Sequence, residues 1–122
     1  MQSKAINAYT SVDKASASGR ELEASALMKA ALFLKECKDN WTDPKHDEQL
    51  HDALRYNQRL WTFFQVELSQ EDNPLPLELR QNLLTLSLFI DKRTFDVMAY
   101  PAPEKLDALI NINLNIAAGL RQ

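Results

Sequence analysis

Two glycines, Gly19 and Gly119, are all the glycine that this chain of 122 residues contains. Sheet proteins and phosphate-cradling loops need glycine at tight turns and close backbone approaches, whereas helices do not. The scarcity therefore points to an all-α protein. A chain of this length fits one domain, residues 1–122, and buries about two-thirds of the surface that its unfolded form exposes. With 45% hydrophobic and 25% charged residues it has the composition of an ordinary globular domain.

Proline, serine and glycine divide the chain into five segments, which predict a compact bundle of about five helices with short, Pro-rich connections. The first, Gln2 to about Ala15, carries Ala5, Ile6, Tyr9 and Val12 at helical spacing. Ser18-Gly19-Arg20-Glu21 has the form of a capping box and predicts the start of a second helix running to about Asp39. Its apolar stripe reads Leu22, Ala26, Ala30, Phe33, Leu34 and Cys37, with Trp41 beyond. Asp43-Pro44 predicts an N-cap followed by a first-turn proline, opening a third helix that ends near Ser69. Asn73-Pro74-Leu75-Pro76 forces the next break, and a fourth helix spans Pro76 to about Tyr100. A fifth follows Pro101-Ala102-Pro103 to about Leu120. Connections this short predict roughly antiparallel neighbours.

One segment competes with this pattern. Ile110-Asn111-Ile112-Asn113-Leu114-Asn115-Ile116 alternates like a strand. Leu106, Leu109, Ile110, Ile116, Ala117 and Leu120 nonetheless share one side of a helix, and a lone strand would have no partner. Helix is the stronger reading.

The apolar stripes carry the functional information. The third helix shows Leu50, Ala53, Leu54, Leu60, Trp61, Phe64 and Leu68 on one side, with Tyr56, Phe63 and Val66 outside that stripe. The fourth is apolar on two sides: Leu79, Leu83, Leu86, Ile90 and Val97 form one stripe, and Leu77, Leu84, Leu88 and Phe95 another. Such a helix is either central in its bundle, the commoner case, or presents one side to a partner. Asn57 and Asn113 sit where apolar residues are expected. Their preferred reading is a buried hydrogen-bonded pair that fixes helix register; the sharper one places them in a groove that bonds a partner's backbone.

Catalytic and metal chemistry find little support. His46 and His51 are five apart, off the spacing that shares a helical face, and both read as solvated helix residues. Cys37 stands alone on an apolar stripe, which predicts a buried, inert thiol without a disulfide. No nucleophile-elbow motif appears, so neither enzyme activity nor a cofactor is expected. The net charge is −3, with nine Lys/Arg and nine Asp/Glu over residues 1–61 and five and eight over residues 62–122. Nucleic-acid binders concentrate Lys and Arg on one face, so direct nucleic-acid binding is not expected. Apolar runs fall short of the roughly 20 residues that a membrane span needs, and no signal peptide is visible. The expectation is a cytoplasmic protein that acts by binding another macromolecule.

Several stretches in order resemble a known family: Asn7-Ala8-Tyr9, Arg20-Glu21-Leu22-Glu23-Ala24, Asn57-Gln58-Arg59-Leu60-Trp61-Thr62-Phe63-Phe64-Gln65, Asn73 through Leu83, Phe89-Ile90-Asp91-Lys92, and Ile112 through Leu120. Over nearly its whole length the chain resembles the flagellar biosynthesis regulator FlaF family. Trp41–Leu50 and the residues after Asp91 match loosely, and no role is carried over to them. The resemblance implies a post-transcriptional role in making flagellin available for filament assembly. The family is described both as a positive regulator of flagellin synthesis and as a flagellin-binding secretion chaperone. It works alongside FlbT, a repressor of flagellin translation. Flagellin is thus the expected partner. The alternative is an adaptor that binds FlbT, or the flagellin mRNA complex, without touching flagellin.

Joined to the stripes, the resemblance suggests a mechanism. Flagellin's terminal segments are disordered until they pack as helices in the filament, and an apolar groove could hold one of them unassembled. Leu84, Leu88 and Phe95, rimmed by Phe63, are the expected docking surface. The first helix is marginal alone and is expected to cover that surface when no partner is present. The same faces would also suit a second copy of the chain.

Overall fold

The computed structural model describes residues 12–122, and among them it has four helices: α1 (Val12–Asp39), α2 (His46–Leu68), α3 (Leu77–Ala99) and α4 (Leu106–Leu120). A single 3-10 turn, Pro103–Lys105, leads into α4. No strand occurs among the described residues. The expected count of five is corrected to four. Ser18-Gly19 does not end a helix: α1 runs through it for 28 residues. A glycine inside a helix costs about 1 kcal/mol, far less than proline, and a long buried stripe downstream outweighs it. The first predicted helix, with Ala5, Ile6 and Tyr9, lies outside the described residues up to Val12.

The stripe that α1 buries is Ala24, Leu27, Ala30, Ala31, Leu34 and Cys37. Of the predicted stripe Ala30, Leu34 and Cys37 are buried and Ala26 half-buried, whereas Leu22 and Phe33 are exposed. Phe33 instead meets Tyr56 of α2 edge-on at 5.4 Å, with the Lys29 ammonium 5.6 Å from its ring centre. The small residues Ala24 and Ala31 admit close packing, and α4 is the helix that packs most extensively on α1. Polar links at both ends show the two to be antiparallel. Lys38, near the end of α1, pairs with Asp107 at the start of α4. Arg121, just past α4, reaches Glu21 at 3.2 Å and Ser25 at 3.3 Å.

Each turn follows from its residues. Asp43 Oδ1 accepts from the Lys45 amide at 2.7 Å and its carbonyl from His46 N–H at 2.9 Å. This turn sets α2 going three residues later than the predicted N-cap. Asn73 accepts from the Leu75 amide at 3.0 Å and donates to the Glu67 carbonyl at 2.9 Å, pinning the Pro74-Leu75 connection to the end of α2. The alternating Ile/Asn segment is helical. Within it Ile110 and Asn113 face inward while Asn111 and Asn115 are exposed.

Candidate functional site

The site is best built from α3, whose two apolar sides posed the question. Its buried face is Ser87, Ile90, Thr94 and Val97. Two of these are small and polar, and each is satisfied within its own helix. Ser87 Oγ donates to the Leu84 carbonyl at 2.6 Å, and Thr94 Oγ1 to the Ile90 carbonyl at 2.7 Å. Gln65 Nε2 on α2 donates to Ser87 Oγ at 3.1 Å and to Asp91 Oδ2 at 3.0 Å, fixing α3 against α2. Contact with α4 is slight, and the turn before it is tied to α3 by Lys105, which pairs with Asp96 at 3.0 Å and accepts from Arg93 at its carbonyl at 3.2 Å. The helix is therefore peripheral, not central.

Its second stripe consequently faces outward. Leu77 is 61% exposed, Leu88 65% and Phe95 60%, with Leu84 half-buried. At about 100° per residue these four fall within about 40° of one another, roughly 120° round from the buried face. They form a seam about 27 Å long at 1.5 Å per residue. Phe89 and Met98 are also exposed and widen the apolar surface. Of the other predicted stripe only Ile90 and Val97 are buried; Leu83 and Leu86 are half-buried and Leu79 is exposed. Sequence reasoning missed Ser87 and Thr94 as core positions because neither is apolar.

Phe63 does not join this seam. It lies two residues before Gln65, hence about 200° round α2 from the side chain that binds α3. It is exposed and touches Phe64 edge-on at 5.9 Å. The expected rim is therefore on the other side of α2.

Asn57 and Asn113 meet in the interior, both fully buried. Asn113 Nδ2 donates to Asn57 Oδ1 at 2.7 Å, and Trp61 Nε1 donates to Asn113 Oδ1 at 2.9 Å. Asn57 Nδ2 has no partner among the described residues. The network joins α2 to α4.

The histidines behave differently from one another. His51 is exposed, but His46 is only 8% exposed and stacks on Trp41 with ring centres 3.9 Å apart. That corrects the reading of both as solvated: the turn before α2 folds the His46 ring onto the indole, which shields it from water. Cys37 is buried, and burial, then Glu36, then Asp52 push its thiol above the ordinary value. Among the described residues no cluster of His, Cys, Asp and Glu is placed to hold a metal, and no helix is long and apolar enough to cross a membrane.

A feature without a sequence signal is a groove of about 540 Å³ where α1, α2, α4 and the Asn73–Pro76 connection converge. Its floor and walls include Trp61, Phe64, Leu68, Leu75, Ile116 and Leu120, and Leu83 of α3 reaches its edge. Arg20, Glu23 and Glu67 also line it, and the charges of Glu67 and Arg20 both act on Glu23. No periodicity could have disclosed it, because it collects residues from five separate segments.

Comparison with known proteins places these surfaces in context. The model of the family described as flagellar protein FlaF matches residues 5–120 of the chain. No curated protein and no solved structure matches.

Proposed function

Because this chain belongs to the FlaF family of flagellar proteins, we propose that it is a cytoplasmic flagellar biogenesis factor that binds flagellin and holds it unassembled for synthesis and secretion. The observation that carries this reading is the outward seam of α3, Leu77, Leu84, Leu88 and Phe95. Apolar seams at helical spacing on a peripheral helix are suited to an amphipathic segment that folds on contact. Burying one leucine side chain contributes about 1.5–3 kcal/mol, so three or four together suffice for a specific but reversible complex. The role needs no catalytic group and no cofactor. Binding is expected to promote flagellin synthesis by keeping the product out of premature assembly. Pull-down of the full chain, with flagellin and FlbT probed together, tests the reading. Flagellin retained directly supports it. Retention of FlbT alone replaces it with an adaptor that relieves translational repression.

A further inference from the structure

We propose that the groove between α1, α2 and α4 is a second docking site, and that its occupant is a peptide segment presenting two or three aliphatic side chains followed by a lysine or arginine. The site is separate from the α3 seam and does not depend on which protein docks there.

The apolar half of this requirement follows from the lining. Phe64, Leu75, Ile116 and Leu120 offer a mostly hydrocarbon surface over the buried Trp61 and Leu68, in a volume typical of ligand sites. The rim is built rather than incidental. Asn73 holds Leu75 in place through its bonds to the Leu75 amide and the Glu67 carbonyl. Arg80 Nη1 donates to the Gln70 carbonyl at 2.8 Å and ties the start of α3 to the same corner.

The basic half follows from charge. Glu23 of α1 and Glu67 of α2 face the same groove, and neither forms an ion pair among the described residues. Burial, then the charge of Glu67, raise the Glu23 carboxyl above its ordinary value, and Arg20 offsets only part of this. Two carboxylates held together beside an apolar surface favour a cation between them. A partner ammonium or guanidinium at the end of an apolar stripe meets both conditions. An acidic or neutral segment meets one.

The test uses the full chain with Trp41→Phe, which leaves Trp61 in the groove as the single fluorescent reporter. Its probes are amphipathic peptides of fourteen residues carrying three leucines at helical spacing, with lysine or glutamine at the stripe's end. The lysine peptide is expected to shift Trp61 emission and to bind about tenfold or more tighter than the glutamine peptide. That advantage should shrink with salt and vanish in the near-isosteric Glu23→Gln, Glu67→Gln protein, while Leu88→Asp leaves it unchanged. Equal binding of the two peptides, binding of neither, or an advantage that survives both glutamines overturns the proposal. So does concentration-dependent dimerisation abolished by those glutamines, because the occupant is then a second copy of this chain. Loss on Leu88→Asp would show that the peptide sits on α3 and that the groove is not a site.

Discussion

Asn113 donates its amide to Asn57 across 2.7 Å of fully buried space, and that bond is a main polar link between α4 and α2. It sits on top of Trp61, whose indole N–H completes Asn113 from the other side. Apolar contacts between helices tolerate sliding by a turn; a directional bond between two amides does not. The pair therefore fixes the register in which α4, clamped to α1 at both ends, also meets α2.

The two asparagines are unequal, and their substitutions should show it. Asn113→Ala leaves both Asn57 Oδ1 and Trp61 Nε1 unpaired, at a cost of about 2–4 kcal/mol. Asn57→Ala strands only the Asn113 amide and removes the orphaned Asn57 Nδ2, so about 1–2 kcal/mol is expected. Chemical denaturation of both variants measures the difference. Equal losses would overturn the inequality, and intact stability with lost flagellin binding would place these residues in a partner site instead.

Gly119 offers the opposite case. It is exposed in the last turn of α4, with nothing within 4 Å of where a Cβ would stand. Gly119→Ala reduces the freedom of the unfolded chain without a clash, and should stabilise by about 0.5–1 kcal/mol. An unchanged or lowered melting temperature would mean that the last turn is frayed and gains nothing from a better helix former.

Which parts of this were legible in the sequence is decided by the range of the forces involved. Proline acts on its immediate neighbours, so the breaks at Pro74-Pro76 and Pro101-Pro103 were readable to within a residue or two. Ser18-Gly19 misled because serine and glycine only weaken a helix locally, and the packing of Ala24, Leu27 and Ala31 on α4 outweighs them. The α1 stripe is legible at Ala30, Leu34 and Cys37, whereas Leu22 and Phe33 mislead because they are large but exposed. The two-sided character of α3 was plain. Its peripheral position was not, because it depends on the Gln65 bonds to Ser87 and Asp91, two polar positions that no apolar pattern marks. The groove was invisible for the same reason: it exists only once Glu23, Glu67, Leu75 and Leu120 have been brought together.

Glu23 gives a pH-dependent signature. Its carboxyl is raised in the folded state, so the fold holds that proton more tightly than the unfolded chain does. The stabilising contribution is complete below the unfolded value and is lost as pH rises through the folded one. Above the folded value the ionised carboxylate is thus a burden. Glu23→Gln should melt higher than the parent at pH 7 and alongside it near pH 4. A variant that melts lower at pH 7 would show that Glu23 has a cationic partner in the free protein.

Charge distribution leads to an expectation about RNA. Basic side chains are spread over α1, α2 and α3 and the two ends of α4, and several are committed: Lys38 to Asp107, Lys105 to Asp96 and Arg121 to Glu21. Without a basic face there is little counterion release to drive binding. Affinity for flagellin leader RNA at physiological salt should be weaker than micromolar. Submicromolar, sequence-selective binding that falls steeply with salt would move the protein's action to the message itself.

Leu88 is where the flagellin-binding proposal is most exposed to refutation. The side chain is 65% exposed on α3. Replacing it with Asp should change folding stability by no more than about 0.5 kcal/mol. An aspartate at 88 stands four residues before Lys92 and three before Asp91, so attraction and repulsion on the helix surface nearly cancel. Phe95→Asp is nearly as exposed, and its carboxylate would stand three residues after Lys92 and four after Asp91, so a similarly small change in stability is expected. In a complex both changes would force an unpaired carboxylate against an apolar helix face and weaken binding by tenfold or more, roughly 1.4 kcal/mol at the least. Val97→Asp, on the buried face of the same helix, serves as the contrast and should unfold the protein. Circular dichroism and a flagellin pull-down on the three variants separate the possibilities. If Leu88→Asp and Phe95→Asp melt cooperatively yet retain flagellin as the parent does, the seam is not the docking surface. If they unfold like Val97→Asp, the outer face of α3 is packed in solution and the proposal fails at its structural premise.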